Sequence, residues 1–208
     1  MNRDAIVLGI AGVFFGILVG WIIGSQQGGG RLPDTSAASV PASQPTGQQQ
    51  AAPPLDEARA SALKTAAQQN PSDAATRVQL ANMYFDAERF QEAADWYEQA
   101  LKINPKDINA STDLGIAYYY MNQPDRALAQ FDKSLAIDPH HVKTLLNVGI
   151  VRAFGKQDLK GASEAWQQVI QYAPPGSEEA RAARQALDGI RSAHPDMAAP
   201  SGGGRGAG

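Results

Sequence analysis

Residues 108–139 read INASTDLGIAYYYMNQPDRALAQFDKSLAIDP: an apolar-periodic stretch, a polar turn around Asn122, a second periodic stretch and a terminating proline. The pattern recurs on both sides. Pro71, Pro105 and Pro139 are separated by 34 and 34 residues, and Ala93 and Ala127 by 34 again. A fixed period of this length marks a repeated supersecondary unit, which cannot bury its own apolar face and must stack on its neighbours. Residues 73–105 (DAATRVQLANMYFDAERFQEAADWYEQALKINP) precede the central block and residues 142–174 (VKTLLNVGIVRAFGKQDLKGASEAWQQVIQYAP) follow it. The third block carries one extra residue, assigned here to the turn between its two helices.

Each block reads as two helices. Small residues recur where helices must come close: Ala81, Gly115 and Gly149 in the first helix, Ala93, Ala127 and Ala162 in the second. Leu80, Leu114 and Val148 stand beside the first set, and Tyr97, Phe131 and Trp166 recur at one position of the second helix. Large and small positions thus alternate to make a stackable wedge. Pro105, Pro139 and Pro174 close the second helices, since proline cannot continue a helical hydrogen-bond ladder. Asp73, Asp107 and His141 stand where a side chain caps the following first helix.

The pattern resembles the tetratricopeptide-repeat (TPR) family, whose Leu, Gly or Ala, Tyr, Ala, aromatic and Pro positions fall on Leu114, Gly115, Tyr118, Ala127, Phe131 and Pro139. The central block departs at Ser134, where Ala is usual; the third departs at Arg152, where Tyr is usual, and at Val169, where Ala is usual. The resemblance covers Pro71 to Pro174 and implies an all-α fold, a right-handed superhelical solenoid with repeats at 72–105, 106–139 and 140–174. Open solenoid ends need covers. Residues 55–71 read as a lone second helix with Leu63 at the aromatic position, and residues 177–193, opening with Ser177 and two acidic residues, as a capping helix. The repeat domain is therefore expected over 55–195.

Residues 1–24 contain IVLGIAGVFFGILVGWII from Ile6 to Ile23 without a charge. At about 1.5 Å per residue such a helix reaches nearly across a bilayer core, so a transmembrane signal anchor is expected. A cleaved signal peptide would have a shorter apolar core and a small-x-small cleavage site, whereas Ser25, Gln26 and Gln27 follow here. Arg3 and the α-amino group precede the span and the next basic residue is Arg31. That asymmetry puts the N-terminus in the cytoplasm and the repeats outside, in the periplasm of a Gram-negative bacterium. Gly12, Gly16, Gly20 and Gly24 share one side of the helix, a face on which a second helix, including that of another copy, can pack. Residues 25–54, rich in Pro, Gly, Ser and Gln, have little to bury and read as a disordered linker with a reach of about 30 Å. Residues 196–208 have the same character.

The formal net charge of −3 is spread without a run of one sign, which gives no electrostatic footprint for nucleic acid. With no cysteine, a disulfide framework, a thiolate metal site and a cysteine nucleophile are excluded. His140, His141 and His194 have no third ligand at metal-binding spacing, and Asp86, Glu88, Glu92 and Glu98 fall at the spacing of a solvated helix face. No catalytic residue, metal site or cofactor is expected, and the chain reads as a non-enzyme.

What the resemblance implies instead is a concave groove, made by the first helices, that holds an extended or helical peptide. In the family's register its positions are Val78, Asn82, Phe85 and Asp86, then Asn109, Thr112, Asp113, Ile116, Tyr119 and Tyr120, then Lys143, Leu146, Asn147, Ile150 and Phe154. Tyr119, Tyr120 and Phe154 suit inter-repeat packing as well, the commoner role of aromatics at helical spacing. Family members that clamp the terminal carboxylate of chaperone tails use Lys and Asn, then Asn, then Lys and Arg. Asn82 and Lys143 match those positions; Val78, Asp113 and Asn147 do not. A peptide held by apolar and amide contacts is therefore expected. The layout is that of a membrane-anchored scaffold or adaptor, similar to the TPR portions of cytochrome c maturation factors, which hold an apoprotein tail during haem attachment. A structural accessory subunit of a membrane complex is the alternative.

Overall fold

Most helices begin where the sequence supplies an oxygen for an orphan backbone N–H. The computed structural model describes residues 53–195, which form eight α-helices and no strand. These are α1 (Glu57–Gln69), α2 (Ala74–Asp86), α3 (Phe90–Ile103), α4 (Ile108–Tyr120), α5 (Pro124–Ile137), α6 (Val142–Ile150, continued by a π-helical turn Val151–Gly155), α7 (Leu159–Tyr172) and α8 (Glu178–Ala193). Asp56, Asp73, Asp107, Asp158 and Ser177 each accept the N–H three residues ahead, at 2.9–3.2 Å. His141 occupies the cap position of α6 without bonding the backbone. Its Nδ1 lies 2.7 Å from the Thr144 hydroxyl instead, which corrects the expectation that the imidazole would cap the helix. Residues 1–52 and 196–208, and with them the expected anchor, its glycine face (Gly12, Gly16, Gly20, Gly24) and the tail, lie outside the described residues. Among the described residues no helix is long and apolar enough to cross a membrane.

Each helix packs on the next, from α1 on α2 through α7 on α8. The pairs α2/α3, α4/α5 and α6/α7 are the three repeats, and α1 and α8 cover the ends. First helices also meet one another, α4 on α6 and α6 on α8, so they form the inner wall of the stack. Within a repeat the spacing is set by a ring lying on a glycine. A Cβ on Gly115 would sit 2.6 Å from Phe131 Cδ1 and closer still to Cε1; a Cβ on Gly149 would sit 2.5 Å from Trp166 Cδ1 and closer to Nε1. Both rings are fully buried, each contributing roughly 2–3 kcal/mol. The Trp166 indole donates to the Leu146 carbonyl at 3.2 Å, so its burial orphans no donor. In the first repeat the corresponding residues, Ala81 and Tyr97, are also buried, and the Tyr97 hydroxyl donates to Asn82 Oδ1 at 2.6 Å.

One buried cation locks α1 to α2. Arg77 donates to the carbonyls of Ala67 at 2.9 Å and Asn70 at 3.3 Å, at the C-terminal end of α1, and to Asp73 O at 2.6 Å. A guanidinium there satisfies carbonyls that have no intrahelical partner and complements the helix dipole.

The turns inside the repeats share one geometry. Glu88, Asn122 and Gln157 have φ of 56°, 58° and 57°. The next residue in the first two turns returns its N–H to a carbonyl five residues back, Arg89 to Tyr84 and Gln123 to Tyr118, at 2.8 and 2.9 Å. Glu88 and Asn122 donate in turn to Phe85 and Tyr119, which completes a Schellman cap. In the third repeat Asp158 reaches Arg152, one residue further back, because the extra residue is taken up by the π turn, where Lys156 donates to Val151 at 3.1 Å. The insertion therefore lies in the last turn of the first helix, and the inter-helix turn keeps its form.

Gly149→Ala should lower stability by about 1–3 kcal/mol through overpacking against Trp166, whereas Gly189→Ala, with nothing within 4 Å of its added Cβ, should raise it by up to about 1 kcal/mol. Equal urea midpoints for the two variants would refute the ring-on-glycine account. Glu88→Gly should also stabilise, by roughly 0.5–1 kcal/mol, since only glycine adopts the left-handed conformation without steric cost; a lowered midpoint would contradict this.

Candidate functional site

The inner wall divides the expected groove positions into surface and core. Asn109 and Asp86 are exposed; Val78, Asn82, Phe85, Asp113, Tyr119, Tyr120, Lys143, Leu146 and Phe154 are half-buried. Ile116 and Ile150 are only 5% and 7% exposed, Asn147 7%, and Thr112 is fully buried. Those four face neighbouring helices more than the groove. The period cannot separate them, because an inner helix presents some residues to the concavity and others to the next repeat at the same spacing.

The aromatic side chains at the turn end of the wall bind the repeats to each other. Tyr120 stacks on Phe90 with centroids 4.6 Å apart and planes at 9°, and Phe85 meets both edge-on at 5.2 and 5.7 Å. Burial, with the nearby Tyr119 and Glu88, pushes the Tyr120 phenol up to about 12. Tyr119 reaches the third repeat, where a Cβ on Gly155 would lie 3.3 Å from its ring. Phe90 carries no repeat signal: the corresponding residues, Pro124 and Leu159, are not aromatic.

Polar groups on the wall are largely engaged within it. Lys143 Nζ donates to Asp113 Oδ1 at 2.6 Å, joining α6 to α4. Asn82 Oδ1 takes the Tyr97 proton, and Asn147 Nδ2 donates to its own helix at Lys143 O, 2.8 Å. Beneath them Thr112 donates to Ile108 O at 2.8 Å, which leaves its oxygen to accept from Thr144 at 2.7 Å and Thr144 to accept from His141 Nδ1. His141 is thus the donor, and burial holds its pKa below the usual imidazole range. Burial also holds the Asp113 carboxyl above the usual carboxylate range against the pull of Lys143. Asp86 is raised by burial and by the charge of Asp113.

Away from the wall, carboxylates expected on a solvated face have partners. Glu98 accepts the Tyr118 hydroxyl at 2.6 Å and Glu92 pairs with Arg89 at 2.6 Å. His140 lies against Tyr172 with ring centroids 4.0 Å apart.

Two tetratricopeptide-repeat family models match the sequence, one over residues 72–140 and one over residues 112–178. These residues are tetratricopeptide repeats. Among solved structures the fold is similar to MamA, at 17% identity and a TM-score of 0.57 over 64% of this chain and 77% of that one. It is similar to the Sgt2 TPR domain from Aspergillus fumigatus, at 24% identity and 0.53 over 65% and 90%. It is also similar to the first TPR of Spaghetti (RPAP3) bound to the HSP90 peptide SRMEEVD, at 21% identity and 0.50 over 56% and 92%. At these identities the likeness is one of fold. Comparison with curated protein sequences gives no match.

Tyr120→Ala should cost about 1–3 kcal/mol, because it opens the Phe85–Phe90–Tyr120 cluster, while Asn109→Ala, exposed on the same helix, should stay within about 0.5 kcal/mol of the parent. Thermal melts compare the two directly; an undiminished Tyr120→Ala melt would mean the cluster does not hold the repeats together.

Proposed function

We propose that the chain is a membrane-anchored, non-enzymatic TPR scaffold that holds an extended or helical segment of a partner protein along the inner wall of its repeats. The observation that carries this reading is the wall itself: Val78, Phe85, Tyr119 and Leu146 keep half-buried apolar surface there, among polar groups that fix orientation. A fold of this kind is seen with a peptide bound in the first TPR of RPAP3, which supports a peptide as occupant. The uncharged run Ile6–Ile23 supports a tether that keeps the repeats near a membrane, on the side away from Arg3. Holding an apoprotein tail during cytochrome c maturation is one service this layout suits.

The wall is unsuited to a terminal carboxylate. Of the positions that would clamp one, Val78 has no charge, the Lys143 ammonium is neutralised by Asp113, and the Asn147 amide is turned to its own backbone. An anion entering there would meet the Asp86 carboxylate and a Lys143 charge already compensated.

The test is chemical cross-linking and capture from native membranes, comparing the full chain with an Asn109→Glu, Leu146→Glu variant whose melt is unchanged. Loss of one captured protein supports the groove; capture that persists undiminished sinks it and moves the interaction to another surface. Stoichiometric co-purification in mild detergent that ignores both substitutions would favour an accessory subunit instead. The peptide SRMEEVD should fail to bind the full chain by calorimetry at concentrations up to about 1 mM, near the weak end of measurable affinity.

A further inference from the structure

We infer that the buried Tyr97 hydroxyl sets the direction of the Asn82 amide on the inner wall, and that the segment held there is extended, with a main-chain carbonyl accepting from Asn82 Nδ2. The inference rests on reading the wall as a peptide groove and narrows its occupant. It starts from a difference between repeats. Tyr97 shares its position with Phe131 and Trp166, and Asn82 shares its position with Ile116 and Ile150. Phe131 has no polar atom, and Trp166 donates to the Leu146 carbonyl. The first repeat alone pairs a hydroxyl-bearing ring with an amide on the wall, and the two meet at 2.6 Å.

That bond fixes which way the amide faces. Tyr97 is only 2% exposed, so its hydroxyl proton needs an acceptor inside the protein, and Asn82 Oδ1 is the one it has. The carboxamide therefore turns its oxygen to the phenol and its Nδ2 away from it. Nδ2 makes no hydrogen bond with another described residue. No buried side-chain nitrogen among the described residues lacks a partner, so Nδ2 is open to solvent. Val78 and Phe85, each about one helical turn from Asn82 along α2, are half-buried as it is. The wall here offers directed N–H donors flanked by apolar surface, which suits a carbonyl set between apolar side chains. A helix keeps its carbonyls bonded except in its last turn, whereas an extended segment has them free and sends alternate side chains to one face. A carboxylate is the poorer match, since the Lys143 charge is already compensated by Asp113.

The probe is a phage-displayed library of random peptides of about twelve residues, selected on the detergent-solubilised full chain. Enriched sequences are resynthesised with blocked ends and titrated by fluorescence anisotropy. A Tyr97→Phe, Asn82→Ile double variant carries the second repeat's residues at both positions, so its melt should stay within about 2 °C of the parent. It should bind the peptides about five- to tenfold more weakly. Tyr97→Phe alone keeps the amide but releases its direction, and should weaken binding about two- to threefold. The Asn82 side-chain amide resonances of the parent should shift on peptide addition. Peptides given α-aminoisobutyric acid at residues that tolerate alanine, which favours a helix, should bind more weakly. Affinity unchanged by the double variant but lost in Asn109→Glu, Leu146→Glu overturns the inference and leaves the groove standing. Undiminished binding by Tyr97→Phe overturns the orienting role of the phenol, and tighter binding of the helix-favouring peptides overturns the extended occupant. If no peptide is enriched, the groove reading and this inference fall together.

Discussion

The contact on which the rest of the structure depends is a ring packed directly against a glycine. Phe131 over Gly115 and Trp166 over Gly149 bring the two helices of a repeat closer than any side chain at those glycines would allow. Dispersion and burial both favour that approach, and both are lost steeply with distance. Because the ring comes from the second helix and the gap from the first, the pair fixes separation and rotation at once. Every inner-wall side chain inherits its direction from that setting, so the groove is a consequence of packing on the opposite side of the same helices.

Between the second and third repeats, and inside the second, the attachment is more polar than a core of stacked helices needs to be. Thr112 and Thr144 join α4 to α6 in a directed chain that ends on Ile108 O, and Gln130 and Ser134 both donate to the Ser111 hydroxyl at 2.8 Å between α4 and α5. No buried side-chain nitrogen or oxygen among the described residues lacks a partner. Each such bond has a modest net value of about 1 kcal/mol, but leaving its donor unmatched costs more. These directional bonds therefore select one arrangement of the helices over sliding alternatives that non-directional apolar contacts alone would tolerate. Ser134, which departs from the family's alanine, contributes its share inside the second repeat, between α4 and α5.

Fold was legible in the sequence because its determinants are periodic. The prolines, the small residues and the rings recur every 34 residues, or 35 across the insertion, and Asp73 and Asp107 cap as their position implies. What escaped reading is what occurs once. Arg77 reaches carbonyls seven and ten residues back, Phe90 stacks on a ring from the next repeat, and Lys143 finds Asp113 across two helices. No spacing rule encodes those partners. The extra residue is visible as an insertion, but its place is not: the repeat period allows it in the inter-helix turn, whereas hydrogen bonding puts it in the π turn Val151–Gly155. A helix can absorb one residue as a bulge at small cost, while the left-handed turn residue and its returning N–H form a unit that tolerates no addition.

The candidate site was legible only in part, for a related reason. A register taken from the repeat names which helix faces inward, yet Ile116 and Ile150 share that register with Asn109 and are buried. Whether an inner-wall residue meets a partner or the neighbouring repeat depends on how far the next first helix has rotated, and that is set by the once-occurring contacts. The same contacts decide chemistry. With the Lys143 ammonium paired to Asp113 at 2.6 Å, a residue that matches a carboxylate-binding pattern by name no longer brings an uncompensated charge to that pattern. Matching side chains at matching positions is therefore weaker ground for assigning a ligand than the unspent charge and unspent hydrogen bonds that remain once the protein has satisfied itself.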